Sequence, residues 1–382
     1  LPEGNALNKK VLITGGAGFI GTHLSRRLLQ LGHEVTVLDN FSPQIHGGNT
    51  EVAADLRGHV QVIQGDVRSE QDWKTALTGQ GSIVHLAAET GTGQSMYQVR
   101  HYTDVNISGT SLLMDLLLTG QYRVNTLVVA SSRAVYGEGA YRCAEHGRIY
   151  PQSRSAEDMR QGVFEPKCPY CKRVCSMLPT PESAPFNPTS LYGLTKQVQE
   201  QMILMYARTL NINGFGLRYQ NVYGPGQSLK NPYTGILAIF SNQARANQPI
   251  YVFEDGEESR DFVYIDDVVE VTARCIESDP QPPTALNVGT GQSVSVLDVV
   301  NSIVKHYGSE STVTVNGAFR EGDIRHNTAD LVRLAEVVGY TPTHTFSEGI
   351  EQFLNWSQTQ EPGVSLYESS LSEMKQRGML HG

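Results

Sequence analysis

Val11-Leu12-Ile13-Thr14-Gly15-Gly16-Ala17-Gly18-Phe19-Ile20-Gly21 decides the fold: a short apolar run gives way to four glycines within seven residues. Val11 to Thr14 reads as a strand and Phe19 to Leu31 as an amphipathic helix, so the glycines occupy the turn between them. Such a turn brings backbone N–H groups close to an anion at the positive end of a helix, which suits a pyrophosphate. A second run, Glu34 to Leu38, ends in Leu38-Asp39-Asn40, with Asp39 18 residues beyond Gly21. That is near the spacing of about 20 for an acid that accepts hydrogen bonds from a ribose. A carboxylate there repels a 2′-phosphate, so the expected cofactor is NAD rather than NADP.

The same alternation continues outward. Val60 to Ile63, Ser82 to Leu86, Thr126 to Ala130 and Gly214 to Arg218 read as further strands, with helices at Thr110 to Leu118 and Leu191 to Leu210. This is the pattern of an α/β fold, a doubly wound parallel sheet covered by helices. Its strand ends supply Gly65-Asp66-Val67 and Leu86-Ala87-Ala88, where small residues leave room for a dinucleotide. The candidate cofactor contacts are thus Gly15, Gly18, Phe19, Ile20, Gly21, Asp39, Asn40, Asp66, Val67, Leu86, Ala87 and Ala88. The expected division is a dinucleotide-binding domain over 8–218, interrupted by an insertion at 139–185, then a smaller mixed α/β lobe over 219–360 and a peripheral tail over 361–382. Helices are expected in the lobe at Thr234 to Asn247, Asp266 to Ser278, Val294 to Tyr307 and Asp330 to Val338. Ligands of open sheets bind beyond the carboxyl ends of the strands, which places the cleft between rim and lobe.

Composition narrows the function. The 382 residues carry a net charge of −9, which argues against nucleic acid as the main partner. The apolar runs fall far short of the roughly 20 residues that span a bilayer, and no secretory signal is evident at the start, so a cytoplasmic location is expected. Anionic ligands must be met by locally placed cations.

Ser190-Leu191-Tyr192-Gly193-Leu194-Thr195-Lys196 opens the long fifth-strand-following helix, with Tyr192 and Lys196 four apart on one face. A phenol with pKa near 10 is a poor base, but neighbouring positive charge favours the phenolate, which can take a carbinol proton as hydride leaves carbon. Ala130-Ser131-Ser132-Arg133-Ala134-Val135-Tyr136-Gly137 places a hydroxyl at a strand's carboxyl end, where it can relay that proton. Ser132 takes this role; Ser131 rivals it on spacing alone.

With these residues in place, the chain resembles the extended short-chain dehydrogenase/reductase superfamily, in its NAD-dependent nucleotide-sugar epimerase/dehydratase group. The motifs TGGAGFIG, VLDN, GDV, HLAA, SSRAVYG, SLYGLTK, LRYQNVYGPGQ and RDFVYIDD follow the family's order from about Lys10 to Asp330. The resemblance implies a Rossmann sheet, a nucleotide-diphosphate sugar as ligand, and Ser132, Tyr192 and Lys196 as the catalytic residues. It further implies Tyr219 and Val222 at the nicotinamide, with Tyr192 and Lys196 also touching the cofactor. Asn221, Arg260 and Arg320 would meet the diphosphate, and Tyr251 and Phe253 the base; Ser132, Arg133 and Asn231 complete the substrate contacts. Sister 4,6-dehydratases carry an Asp-Glu pair after the strand-five hydroxyl, where this chain has Arg133-Ala134. Elimination therefore lacks its catalyst, which leaves transient oxidation at C4 and return of hydride to the other face.

Four of five cysteines crowd into Cys143 to Cys175, and Cys143-x2-His146 with Cys168-x2-Cys171 has the spacing of a closed, structural Zn²⁺ site. Cys175 or a water remains an alternative to His146, and Cys275 reads as core. This insertion, with Ser228 to Gly235 and Phe253-Glu254-Asp255-Gly256, is similar to bacterial dTDP-L-rhamnose 4-epimerases. The sequence thus leads to a nucleotide-sugar 4-epimerase with NAD and structural zinc. A homodimer through the Thr110 and Tyr192 helices is what the resemblance implies. UDP-glucose or UDP-glucuronate 4-epimerase is the near alternative, a 4-ketoreductase the next, and a non-catalytic dinucleotide sensor the alternative of another class.

Overall fold

The computed structural model describes residues 9–229, 235–361, 375–378 and 380–381. The alternation read from the sequence becomes a seven-stranded parallel sheet: β1 (Lys10–Thr14), β2 (Glu34–Asp39), β3 (Gln61–Gln64), β4 (Ser82–His85), β5 (Thr126–Ser132), β6 (Asn213–Tyr219) and β7 (Thr284–Val288). Their order across the sheet is β7-β6-β5-β4-β1-β2-β3. The order reverses between β1 and β4, where the crevice for a ligand opens. Central strands are buried on both faces, which explains their continuous apolar runs.

Alternate side chains feed two cores. Val11 and Ile13 join Leu24 and Leu28 of α1 (Phe19–Gln30) on one face, while Leu12 meets Trp73 and Ile203 on the other. The second face is covered by α2 (Gly109–Leu118) and α3 (Leu191–Leu210), which pack on each other. On the first face α4 (Ile265–Glu277) lies along α1. Cys275 is fully buried in that core, as its apolar helix requires.

The expected boundary at residue 219 needs correcting. Thr284–Val288 pairs in register with Phe215–Tyr219 as an edge strand of the first sheet, so the chain returns to it after leaving for the lobe. The remaining lobe is built on short strands and on helices Ile236–Arg245, Val296–Tyr307, Val332–Val338 and Phe346–Gln358. The insertion holds a three-stranded antiparallel sheet of Tyr141–Cys143, Gly147–Ile149 and Ser176–Met177. Among the described residues no helix is long and apolar enough to cross a membrane.

Candidate active site

Gly15 turns the chain with φ of +68°, and a Cβ there would lie 2.8 Å from the Ala87 nitrogen. At Gly21 a Cβ would come within 2.5 Å of the Gly16 Cα, so glycine lets α1 start tightly against the turn. The start of α1 has Gly18 as its N-cap, with no capping side chain and no acid in the first turn. That uncapped positive end suits the phosphates of a dinucleotide. A cavity of about 300 Å³ runs from it to the end of β2. Of the expected cofactor contacts, Gly15, Gly18, Phe19, Ile20, Gly21, Asp39, Asn40, Val67, Leu86, Ala87 and Ala88 line it.

Asp39 accepts hydrogen bonds from the Ala17 nitrogen at 3.0 Å and the Phe41 nitrogen at 2.9 Å. Its second neighbour, His46, was not singled out from sequence; its Nε2 sits 3.4 Å from Asp39 Oδ1 and the ring lines the same cavity. Asp66 is placed differently. It is tied to Arg68 at 2.7 Å and Asn40 at 3.2 Å, is held down to about 2 chiefly by Arg68, and does not line the cavity.

Ser132 ends β5 and caps the following turn by accepting from the Ala134 nitrogen at 3.2 Å. Ser131 points to the opposite face, where it donates to Glu200 at 2.5 Å; Glu200 is in turn paired with Arg218. Strand alternation thus separates the rivals, and only Ser132 faces Tyr192. Tyr192 stands in the first turn of α3, its nitrogen donating to Ser95 Oγ at 3.0 Å. Gly193 is what lets it approach: a Cβ there would lie 2.5 Å from the Ala134 carbonyl oxygen. Burial pushes the Tyr192 phenol up, while the Ser132 hydroxyl and the Arg133 guanidinium favour the phenolate. Lys196 is buried, donates to the Ala130 carbonyl at 2.9 Å, and is pushed down to about 7 by desolvation.

A second cavity, of about 490 Å³, is lined by Met96, Arg133, Ala134, Arg154 and Arg320 to Ile324, among others. Arg133 donates from Nε to Asn221 at 2.8 Å, and burial with nearby Arg260 lowers it to about 10. Arg320 lies over the Phe253 ring at 5.0 Å. Arg260 stands behind the wall: it is buried and donates to the carbonyls of Ser259, Ile324 and Arg325 and to Asp323 at 3.1 Å. Tyr251 is half exposed while its strand neighbours Ile250 and Val252 are core. Tyr219 pairs with Ser132 in register, but its hydroxyl is turned to Thr272 on α4, 2.9 Å away, and Val222 packs against the same core. Asn231 lies outside the described residues.

The family model for the NAD dependent epimerase/dehydratase family matches residues 11–173 and 172–289. The chain belongs to that family. It is 38% identical to the dTDP-L-rhamnose 4-epimerase of Burkholderia thailandensis over 91% of this chain and 94% of that protein. A putative UDP-glucose 4-epimerase of Methanocaldococcus jannaschii is 30% identical over 91% and 97% of the two chains. Among solved structures, the UDP-glucose 4-epimerase of Thermotoga maritima with UDP-glucose superposes with a TM-score of 0.73 at 26% identity, covering 91% of this chain and 98% of that one. MoeE5 in complex with UDP-glucuronic acid and NAD gives 0.73 at 27%, covering 91% and 99%.

Within this epimerase/dehydratase framework, sequence reasoning missed the supports of the catalytic helix. Asn106, in a π-helical turn over Thr103–Ser108, donates to Thr195 at 2.9 Å and bonds both backbone groups of Glu89. His85 bridges Thr14 at 2.7 Å and Thr110 at 3.0 Å, and burial holds it down to about 3, so it stays neutral beside Lys196. No local spacing signals either role, because each arises from contacts more than 15 residues away in sequence.

The insertion gathers Cys143, His146, Cys168 and Cys171 with all ligand atoms within 4.8 Å of one another. His146 Nδ1 lies 3.6 Å from the sulfurs of both Cys143 and Cys168, and Cys143 Sγ lies 3.5 Å from Cys171 Sγ. Cys175 is buried beside them and stands outside this group.

Proposed function

We propose that this chain is a nucleotide-sugar 4-epimerase that uses NAD and takes a dTDP-linked L-rhamnose as its sugar substrate. The observation that carries the reading is the Ser132–Tyr192–Lys196 arrangement beside a cavity whose two lining carboxylates are both engaged: Asp323 with Arg260 at 3.1 Å and Glu321 with His381 at 2.9 Å. NAD, when bound, supplies the acceptor and later the donor of hydride. Tyr192 takes the C4 hydroxyl proton and returns it, with Ser132 positioning the reacting oxygen. Lys196, at the Ala130 carbonyl, orients the cofactor's ribose. Gly15, Gly18 and the start of α1 hold the phosphates, and Asp39 the ribose. Arg133 and Arg320 meet the substrate's diphosphate, whose planar guanidinium partners suit phosphate oxygens. Asn221 orients Arg133, and Phe253 supports Arg320.

The cysteine group suits structural zinc. A tetrahedron with Zn–S near 2.3 Å and Zn–N near 2.0 Å has edges of about 3.5 Å for S···N and about 3.8 Å for S···S. The two S···N separations of 3.6 Å lie close to that edge and the Cys143–Cys171 sulfurs, at 3.5 Å, are somewhat tighter, which supports Cys143, His146, Cys168 and Cys171 as the four ligands. A homodimer through α2 and α3 is supported by the exposed Leu118, Leu194 and Met205 on those helices. A second reading, UDP-glucuronate as substrate, draws on Arg133, whose guanidinium also suits a C6 carboxylate.

The test is a panel of nucleotide sugars incubated with purified protein, products read by NMR. Conversion of dTDP-L-rhamnose to its C4 epimer is expected. Turnover confined to UDP-glucuronate favours the second reading, and no epimer from any sugar sinks both.

A further inference from the structure

The insertion sends one buried side chain into the wall of the second cavity. Arg154 lies in the stretch 147–167, 21 residues that run from one half of the cysteine–histidine group to the other. Its side chain is only 3% exposed. Its donors reach four separate segments: Nε to Glu138 Oε1 at 3.2 Å, Nη1 to Glu254 Oε2 at 2.8 Å and the Phe164 carbonyl at 3.1 Å, and Nη2 to the Asp323 carbonyl at 3.0 Å. Glu138 follows the Ser132 turn, Glu254 follows Phe253, and Asp323 belongs to the Arg320 to Ile324 wall.

The surrounding contacts run the same way. Glu138 accepts from the Arg325 nitrogen at 2.8 Å, and Arg325 reaches Glu254 at 2.9 Å and Glu165 of the insertion at 2.7 Å. Met159 and Phe164 of the insertion pack on Phe319, next to Arg320. Glu138 and Glu254 are buried, with side chains 1% and 5% exposed, so removing the Arg154 fork leaves buried charge short of a partner. A lysine keeps the charge but has one nitrogen, which cannot reach four segments at once.

We infer that Arg154 is a positioning residue for nucleotide-sugar binding: the insertion is the brace that fixes the Arg320 to Ile324 wall. None of Arg154's hydrogen-bond partners lines the cofactor cavity. Its loss therefore loosens the sugar-nucleotide site and leaves the cofactor in place. This rests on the reading of the second cavity as the nucleotide-sugar site.

The experiment compares wild type with Arg154→Lys, and with Glu254→Gln and the double variant. Calorimetric titration with dTDP and UDP gives affinity for the nucleotide part, and extraction gives bound NAD per chain. Expected are a dissociation constant raised about tenfold in Arg154→Lys, a KM for the sugar nucleotide raised in parallel, kcat within about threefold, and unchanged NAD content. Because Arg154 acts partly through Glu254, the double variant should fall short of the product of the single effects. Wild-type affinity in soluble Arg154→Lys, or loss of NAD in step with loss of dTDP binding, overturns the inference alone. Failure of the wild-type protein to bind either nucleoside diphosphate overturns the reading of the cavity and the inference with it.

Discussion

Tyr192 and Lys196 stand one turn apart on α3, yet the lysine ammonium is anchored on the Ala130 carbonyl at 2.9 Å, and the cation that acts on the phenol is Arg133. The two groups are thereby given different work. In the proposed mechanism Lys196, fixed on β5, orients the cofactor's ribose and Tyr192 faces the substrate. Tyr192→Phe should fold and retain NAD, because its nitrogen's bond to Ser95 and the Gly193 contact are untouched. Turnover should fall by about 10²-fold or more, the scale of lost general acid–base catalysis. A rate within a few-fold of wild type removes Tyr192 from the mechanism.

Arg133 makes a prediction about pH. Burial raises the Tyr192 phenol above its ordinary range, and the Ser132 hydroxyl and Arg133 charge pull it back. Arg133→Met removes one of those two pulls, so the phenol's pKa rises and less phenolate is present at a given pH. The acid limb of the kcat profile should move to higher pH, with the alkaline activity preserved better than the neutral. A limb that stays put or moves to lower pH means that Arg133 serves substrate binding alone.

How far the sequence carried this site depends on how local each signal was. The Gly15 to Gly21 turn, Asp39 and the Tyr192–Lys196 spacing are set within a few residues or one strand–helix unit, and each was legible. Ser131 against Ser132 was not, because the choice rests on which face of β5 each side chain takes, and that is fixed by Glu200 on α3, 69 residues from Ser131. Thr284–Val288 was missed as a sheet strand for a similar reason: its partner β6 lies across the whole helix α4. Arg260 was expected on the substrate, but its four acceptors belong to 259 and 323–325, brought together only by the pairing of Ser259–Arg260 with His326–Asn327. Arg154 carries no local motif at all, since its partners come from four segments.

Asp39 predicts the cofactor directly. Both carboxylate oxygens already accept a backbone N–H, which fixes the group as a charged acceptor at the cavity's far end. A 2′-phosphate placed there meets that charge at close range. Nucleotide extracted from the purified protein should be NAD, and a preparation that yields NADP overturns the assignment.

The insertion should carry one zinc per chain. Cys171→Ser should lose it, since Cys171 belongs to the group of four ligand atoms within 4.8 Å, whereas Cys175→Ser should keep it. Metal analysis of protein purified without chelator decides the matter. Metal binding and local order are linked, so chelation should increase hydrogen exchange over 141–177 more than in the sheet. Equal metal loss in the Cys171 and Cys175 variants would show that Cys175 is also a ligand.

The reaction class follows from which groups are free to move a proton. A dehydratase needs a carboxylic acid and base at the reacting carbons, and the residues after Ser132 are Arg133, bonded to Asn221, and Ala134. The cavity's own carboxylates, Glu321 and Asp323, are held by His381 and Arg260. Tyr192 and Ser132 can shuttle the C4 hydroxyl proton and nothing beyond it. A keto sugar formed there has two fates, departure or reduction from the other face, and the second returns the cofactor to its starting state. Epimerisation should therefore run without added NADH and with no net change in nicotinamide absorbance. The C4 hydrogen should be retained, so that a substrate deuterated at C4 gives deuterated product in ordinary water. Stoichiometric consumption of NADH would make the enzyme a reductase, and solvent deuterium at C5 or C6 would show that elimination or enolisation occurs in spite of the missing acid pair.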